Sequence, residues 1–215
     1  MTAMVLTHIQ EFDRQVDTLI QKGFPQLAKL TDSAFEQLTN PLRVQLDQLS
    51  LPEIDLEQGI LPFVIVVKHD LVSTEDMMAR IERNGKQGIT KLYPREPQDF
   101  NPIDTVTIPQ PPIYLLVDID RGKSTINLPP IEAMKVIVEG GRSPLTIDEG
   151  VAIVMQYPEF LMKNNCFSLL ASRYTGDKRV PAIWINGKKH PNLGWCWDGN
   201  PHTWLGSASC TDRIG

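Results

Sequence analysis

Two runs of apolar residues dominate the hydrophobic pattern of the chain. Residues 60–67 read ILPFVIVV, and residues 113–120 read IYLLVDID. Runs of this length, rich in β-branched residues and apolar on both faces, are typical of buried strands. A helical pattern follows each run. The order strand, helix, strand, helix is therefore compatible with a parallel pair of strands joined by a crossover.

Helical spacing of apolar residues marks the first part of the chain. Such spacing over 7–22 predicts an amphipathic helix. A second helix is predicted near Ser33, because Ser33 and Glu36 have the spacing of a capping box. It is expected to end at Pro41, and a third short helix is expected over 42–49.

Three further helices are predicted downstream. The first covers about 74–83, with Ser73 as its N-cap and Asn84-Gly85 as its C-terminal stop. The others cover about 130–139 and 147–157. The Pro-rich segment 94–112 is expected to be an extended loop.

The C-terminal part of the chain has a β pattern. A strand is predicted over 180–185, and a returning strand is predicted over 193–197. Between them, Asn186-Gly187 favours a hairpin, because both residues tolerate the positive φ that a type I′ turn requires.

These elements predict an α+β protein with a mixed sheet, flanking helices and a C-terminal β-hairpin region. The compact domain is expected over 58–215, preceded by a helical N-terminal extension over 1–50. So short an extension buries little apolar surface by itself. Two interpretations stay open for it: a cap on the main domain, or an arm that joins two copies in a homodimer.

Composition excludes several classes of protein. The chain carries 21 Lys+Arg against 26 Asp+Glu, a net charge of −5, which argues against a nucleic-acid partner. The apolar run 60–67 is far shorter than the roughly 20 residues that span a bilayer, so no membrane partner is expected. The first residues lack a signal-peptide pattern, and three cysteines do not form a disulfide framework. A cytoplasmic location is therefore expected.

Two carboxylates follow the second apolar run. Asp118 and Asp120 stand at a strand end, where a pair of carboxylates can hold Mg²⁺. An apolar strand that runs into Asp-x-Asp resembles the first motif of the haloacid-dehalogenase-type phosphatases. The chain departs from that motif at 121–123, where Arg-Gly-Lys stands in place of a Gly-Thr pair.

Cysteine and histidine residues offer a second chemistry. Cys196, His202 and Cys210 lack the closely spaced ligand pair of structural zinc sites, so neither a metal site nor a cofactor is predicted. A thiol such as Cys196 beside His202 would suit nucleophilic catalysis. His69-Asp70, after the first strand, is another candidate acid/base pair, since ligands gather at strand ends.

The segment 193–210 is the densest aromatic feature of the chain. Three tryptophans lie within ten residues, among glycine, asparagine, histidine and serine. This composition suits a pocket that stacks a planar group and hydrogen-bonds its rim. It also suits the core of a small β region, and both interpretations stay open. The predicted ligand-binding residues are Trp195, Asn200, His202, Trp204 and Ser207.

Several stretches resemble an uncharacterised bacterial family, a domain of unknown function. They read NNCFSLLASR, VPAIWI and LGWCWDGNPHTWLGSASC, together with YLLVDIDRG and RSPLTIDEGVAI. The resemblance covers roughly 113–210 and leaves the first 50 residues outside. It implies no activity, cofactor or catalytic residue.

The sequence therefore predicts a protein that binds a small molecule or a partner through its Trp-rich C-terminal region. The alternative is an enzyme, a Cys/His-based or metal-assisted hydrolase or transferase. That enzyme would use either Cys196 with His202 or Asp118 with Asp120.

Overall fold

The computed structural model describes residues 7–215. Its helices are α1 (His8–Gln21), α2 (Phe24–Leu27), α3 (Asp32–Gln45), α4 (Thr74–Arg80), α5 (Pro130–Glu139) and α6 (Ile147–Gln156). Its strands are β1 (Ile60–Val67), β2 (Glu82–Arg83), β3 (Lys86–Gln87), β4 (Ile89–Thr90), β5 (Asn101–Pro102), β6 (Ile113–Asp120), β7 (Ser143–Pro144), β8 (Cys166–Ser168), β9 (Ser172–Arg173), β10 (Arg179–Ile185), β11 (Pro191–Trp197), β12 (Leu205–Ser207), β13 (Ser209–Cys210) and β14 (Asp212–Ile214). Short 3₁₀ helices cover Leu46–Gln48, Pro97–Asp99, Lys123–Thr125 and Pro158–Phe160.

The two long apolar strands form the centre of one sheet, but they run antiparallel. Ile60 faces Asp120, and Val67 faces Ile113. The parallel pair that the element order allowed is therefore not formed. The connection leaves β1 and enters β6 at the same end of the sheet, where the Lys68 N–H donates to the Pro112 carbonyl at 3.0 Å. A continuous apolar run indicates that both faces of a strand are buried, and it does not determine the direction of the neighbouring strand.

The α+β class with a mixed sheet is confirmed. On its other side, β6 pairs with β13 and β14, and β13 continues to β7. A second sheet has the order β12-β8-β10-β11-β4, with parallel pairs at both ends and antiparallel pairs in the middle. Helix α6 packs against β1 and places its first turn near the end of that strand.

The N-terminal helices share the core of the central sheet. Phe12 and Leu19 on α1 are buried in the same hydrophobic cluster as β1. The buried Gln15 side chain donates to the Phe63 carbonyl and accepts from the Ile65 N–H at 2.9 Å. It thereby satisfies backbone groups on the free edge of β1. The contacts bind this part of the extension to the sheet.

Most helices are confirmed, and α3 corrects the sequence prediction. It begins at Asp32, because Thr31 Oγ1 accepts from the Ala34 N–H. It then continues through Pro41, where an end was predicted. A proline inside a helix removes one backbone hydrogen bond. Here Phe35 and Leu42, on either side of that position, are both buried, and their packing favours the continued helix.

Both Asn-Gly pairs lie in hairpin loops. Asn84-Gly85 was expected to end a helix, yet it forms the two-residue turn between β2 and β3, with positive φ at both residues. Helix α4 ends earlier, at Arg80. The β10–β11 hairpin is confirmed, but its loop is longer than a type I′ turn: Asn186 Oδ1 accepts from the His190 N–H.

Among residues 7–215, no helix is long and apolar enough to cross a membrane.

Candidate functional site

A cavity of about 220 Å³ lies at the end of the central sheet, where β1 stops and β6 begins. An engineered cavity of about 150 Å³ in another protein holds benzene, so this one has room for a ring with a small substituent. Its wall combines the loop after β1, the Pro-rich segment, the first turn of α6 and β9. The lining residues are Lys68, His69, Asp70, Pro97, Phe100, Pro102, Ile108, Tyr114, Thr146, Ile147, Asp148 and Ser172.

A histidine–carboxylate pair forms the polar part of this wall. His69 Nδ1 lies 2.9 Å from Asp148 Oδ2, and the same oxygen accepts from the His69 backbone N–H at 3.2 Å. The His69 side chain is 39% exposed and the Asp148 side chain 12% exposed. On the other side of the ring, Nε2 lies 3.5 Å from an Asp70 oxygen. Asp148 therefore fixes both the loop and the orientation of the imidazole.

The hydrogen bond to Asp148 raises the pKa of His69 above its usual 6.5, and the charges of Asp148 and Asp70 act in the same direction. Burial and the charge of Lys68 oppose this rise. With Nδ1–H donating to Asp148, a neutral His69 presents Nε2 as an acceptor, and a protonated His69 presents it as a donor. The pair can thus hydrogen-bond a ligand or transfer a proton near neutral pH.

A buried network holds the first turn of α6 in place. Glu149, fully buried, accepts from the Tyr114 hydroxyl at 2.9 Å and from the Thr146 N–H at 2.7 Å. It also pairs with the Arg213 guanidinium, whose side chain is only 6% exposed. Tyr114 and Thr146 line the cavity themselves. The network therefore sets the position of Asp148 next to His69.

Aromatic side chains support the cavity from behind. Phe100 lines the cavity and packs edge-on against Trp195, with ring centroids 5.7 Å apart, and against Tyr174 at 6.3 Å. The Arg179 guanidinium lies over the Trp195 ring, 3.3 Å from its centroid, and 5.7 Å from the centroid of the Trp197 ring. Trp195, a predicted ligand residue, thus lies behind the cavity wall.

The other predicted ligand residues are His202, Trp204, Ser207 and Asn200. The Trp204 ring packs against His202, with centroids 5.3 Å apart, and against Trp184 at 5.9 Å. Ser207 is buried in β12, where its N–H donates to Thr125 Oγ1. Asn200 is exposed in the loop before β12. The structure thus brings Trp204 and His202 into contact.

The thiol chemistry considered from the sequence meets an unfavourable environment. Burial raises the pKa of Cys196 to about 11 and that of Cys210 to about 12, and it raises the pKa of Cys166 as well. A thiol must lose its proton to act as a nucleophile. These thiols are therefore protonated at neutral pH.

The carboxylates at the end of β6 hold the backbone together. Asp118 pairs with Arg142 at 2.9 Å, and Asp120 Oδ1 accepts from the Gly122 N–H at 2.6 Å. Gly122 has φ +89° and lies so close to β12 that a Cβ would be 2.3 Å from the Ser207 carbonyl oxygen. Among the side chains that the structure describes, no group of three or more His, Cys, Asp or Glu could hold a metal ion.

Sequence reasoning finds one half of the candidate pair. The position of His69 after a buried strand marks it as a candidate. The sequence pairs it with the neighbouring Asp70, whereas the shorter contact is to Asp148, 79 residues along the chain. Asp148 stands in the first turn of a helix, where acidic residues are common for electrostatic reasons alone. No local signal distinguishes it.

Comparison with known proteins places the chain in a family. No curated protein and no solved structure matches it. The family match starts further upstream than the resemblance in the sequence suggests, so it includes part of the N-terminal helices. The matching model describes a family of unknown function, DUF5701, over residues 18–215, and the chain belongs to that family.

Proposed function

We propose that this protein binds a compact small molecule in the cavity beside His69 and Asp148. The observation that carries the proposal is the combination in one cavity of apolar walls with an oriented imidazole–carboxylate pair. Ligand sites typically have mostly apolar linings with a few placed polar groups. The volume of about 220 Å³ suits a ligand part the size of one substituted ring.

Benzyl alcohol is a suitable neutral probe, because it combines a ring with one hydroxyl group. Amide NMR spectra of the full chain, recorded during a titration with benzyl alcohol, should show shifts centred on the cavity residues. So small a ligand is expected to bind with a Kd on the order of 1 mM, about −4.1 kcal/mol. The hydroxyl group is expected to hydrogen-bond His69.

Filling the cavity provides the decisive variant. Ile108, a partly buried lining residue, changed to tryptophan should abolish the shifts, because the indole takes the space of the probe. The matched control is Ile131→Trp on the exposed face of α5. The proposal is wrong if benzyl alcohol leaves the cavity amides unmoved, or if Ile108→Trp binds it as the wild type does while still folded.

A second candidate is the site predicted around Trp204, and one observation favours it. His202 Nε2 is buried and, within the described chain, has no hydrogen-bond partner, while its ring packs against Trp204. A buried polar atom of this kind is usually satisfied by water or a ligand. Trp195, Asn200 and Ser207 belong to this proposal as first predicted. Trp204→Ala should weaken ligand binding at little cost in stability; a loss of about 3–5 kcal/mol of unfolding free energy would instead identify Trp204 as core.

Location and assembly are also part of the proposal. The three cysteines are free, which favours a cytoplasmic location, where thiols stay reduced. A homodimer through the N-terminal helices would bury Leu38 and Val44, which α3 leaves exposed. Analytical ultracentrifugation of the wild type and of Val44→Glu tests that assembly.

A further inference from the structure

A second cavity adjoins the first and shares two residues with it. Its volume is about 530 Å³, and both cavities are lined by His69 and Asp70. The remaining lining of this outer cavity is polar: Ser73, Thr74, Glu75, Glu96 and Gln98. One ligand can therefore place an apolar part in the inner cavity and a polar part in the outer one.

The outer cavity carries negative charge that the protein leaves largely unneutralised. Asp70, Glu75 and Glu96 are all exposed in its wall. Asp70 faces His69, and within residues 7–215 no lysine or arginine forms an ion pair with any of the three. The nearby Lys68 ammonium donates instead to two backbone carbonyls of the Pro-rich segment.

Protonation of His69 does not reverse this balance. The charge of the imidazolium is matched by Asp148, to which Nδ1 is hydrogen-bonded. Across both cavities, four carboxylates face one lysine and one histidine: Asp70, Glu75, Glu96 and Asp148 against Lys68 and His69. A cleft lined by one sign of charge concentrates ligands of the opposite sign.

We propose that the ligand is a primary amine with a compact apolar body. Its apolar body occupies the inner cavity next to Phe100 and Ile147, and its ammonium group lies in the outer cavity among Asp70, Glu75 and Glu96. The outer position leaves the ammonium partly hydrated, so little desolvation opposes binding. This inference rests on the proposed function, because it specifies the ligand of the same site.

Three probes that share a ring and differ in charge test the ligand class: benzylamine, benzyl alcohol and benzoate. Titrations followed by amide NMR at pH 7 give a Kd for each. Benzylamine should bind about twofold to fivefold more tightly than benzyl alcohol for each carboxylate it approaches, the range of exposed ion pairs. Benzoate should bind most weakly. The advantage of benzylamine should shrink as salt is added.

Charge-removing variants locate the effect. Glu75→Gln and Glu96→Gln should each reduce the advantage of benzylamine while leaving the Kd of benzyl alcohol unchanged. The matched control, Glu132→Gln on the exposed face of α5, should change neither. If benzyl alcohol binds but benzylamine binds no more tightly, or if benzoate binds best, the amine inference is wrong and the proposed function stands. If none of the three probes shifts the cavity amides, both the amine inference and the proposed function are wrong.

Discussion

Removing the Glu149 carboxylate should cost more stability than any surface substitution. Glu149 is fully buried and accepts hydrogen bonds from Tyr114, Thr146 and Arg213. Glu149→Ala leaves the buried Arg213 guanidinium without its counter-charge. Removing one partner of a buried ion pair lowers the unfolding free energy by about 3–5 kcal/mol. The orphaned Thr146 N–H adds to that cost rather than offsetting it.

Urea denaturation and a thermal melt, both followed by circular dichroism, measure the effect. For a chain of this length, about 3–5 kcal/mol corresponds to a Tm lower by about 6–20 °C. The matched control is Glu132→Ala, which removes an exposed partner of Lys135 on α5. Its expected change is within about 0.5 kcal/mol, the usual range for a surface position.

A double-mutant cycle separates the ion pair from general damage to the core. Arg213→Met alone should also destabilise, because it leaves Glu149 buried and charged. The double variant Glu149→Ala/Arg213→Met should cost less than the sum of the two single variants, since neither charge then remains buried alone. Additive costs, or a loss below about 1 kcal/mol for Glu149→Ala, would refute this account of the network.

Three further outcomes are expected. An NMR titration should show a His69 pKa above 6.5, and that pKa should fall in Asp148→Asn. The stability that the His69–Asp148 pair adds should be complete below about pH 6.5 and should fade as the pH rises through the raised pKa. An unchanged pKa in Asp148→Asn would contradict this. Cys196 in the folded protein should react slowly with a maleimide at pH 7, because burial raises its pKa to about 11; labelling as fast as in urea would contradict it. Gly122→Ala should lower the unfolding free energy by more than about 1 kcal/mol, because Gly122 has a positive φ and an added Cβ would clash with the backbone of Ser207. Gly199→Ala should change the unfolding free energy little, because the space around Gly199 is open.

The sequence by itself predicts those elements whose signals are local. The apolar runs locate β1 and β6 to the residue, because burial of both faces requires continuous apolar side chains. Helix α5 begins at Pro130, as the preference of proline for the first turn suggests, and ends before Gly140. Preferences of this kind depend on the residue and its own backbone conformation, so they predict an element without knowledge of what it packs against.

Local signals fail where two features compete within one segment. Pro41 is a strong helix breaker, yet α3 continues through it because Phe35 and Leu42 gain more from packing than one lost hydrogen bond costs. The Asn186-Gly187 pair suits a two-residue turn. The register that pairs Ile185 with Pro191 nevertheless makes the loop five residues long.

Only the tertiary structure decides how distant segments meet, and the candidate site depends on that decision. The antiparallel pairing of β1 with β6 brings residue 68 next to residue 112 and thereby creates the end of the sheet where the cavity lies. The Glu149–Arg213 pair then fixes the first turn of α6, so that Asp148 faces His69. Neither ion pair is visible in the local sequence pattern, because side chains 64 and 79 residues apart meet only through the path of the backbone between them.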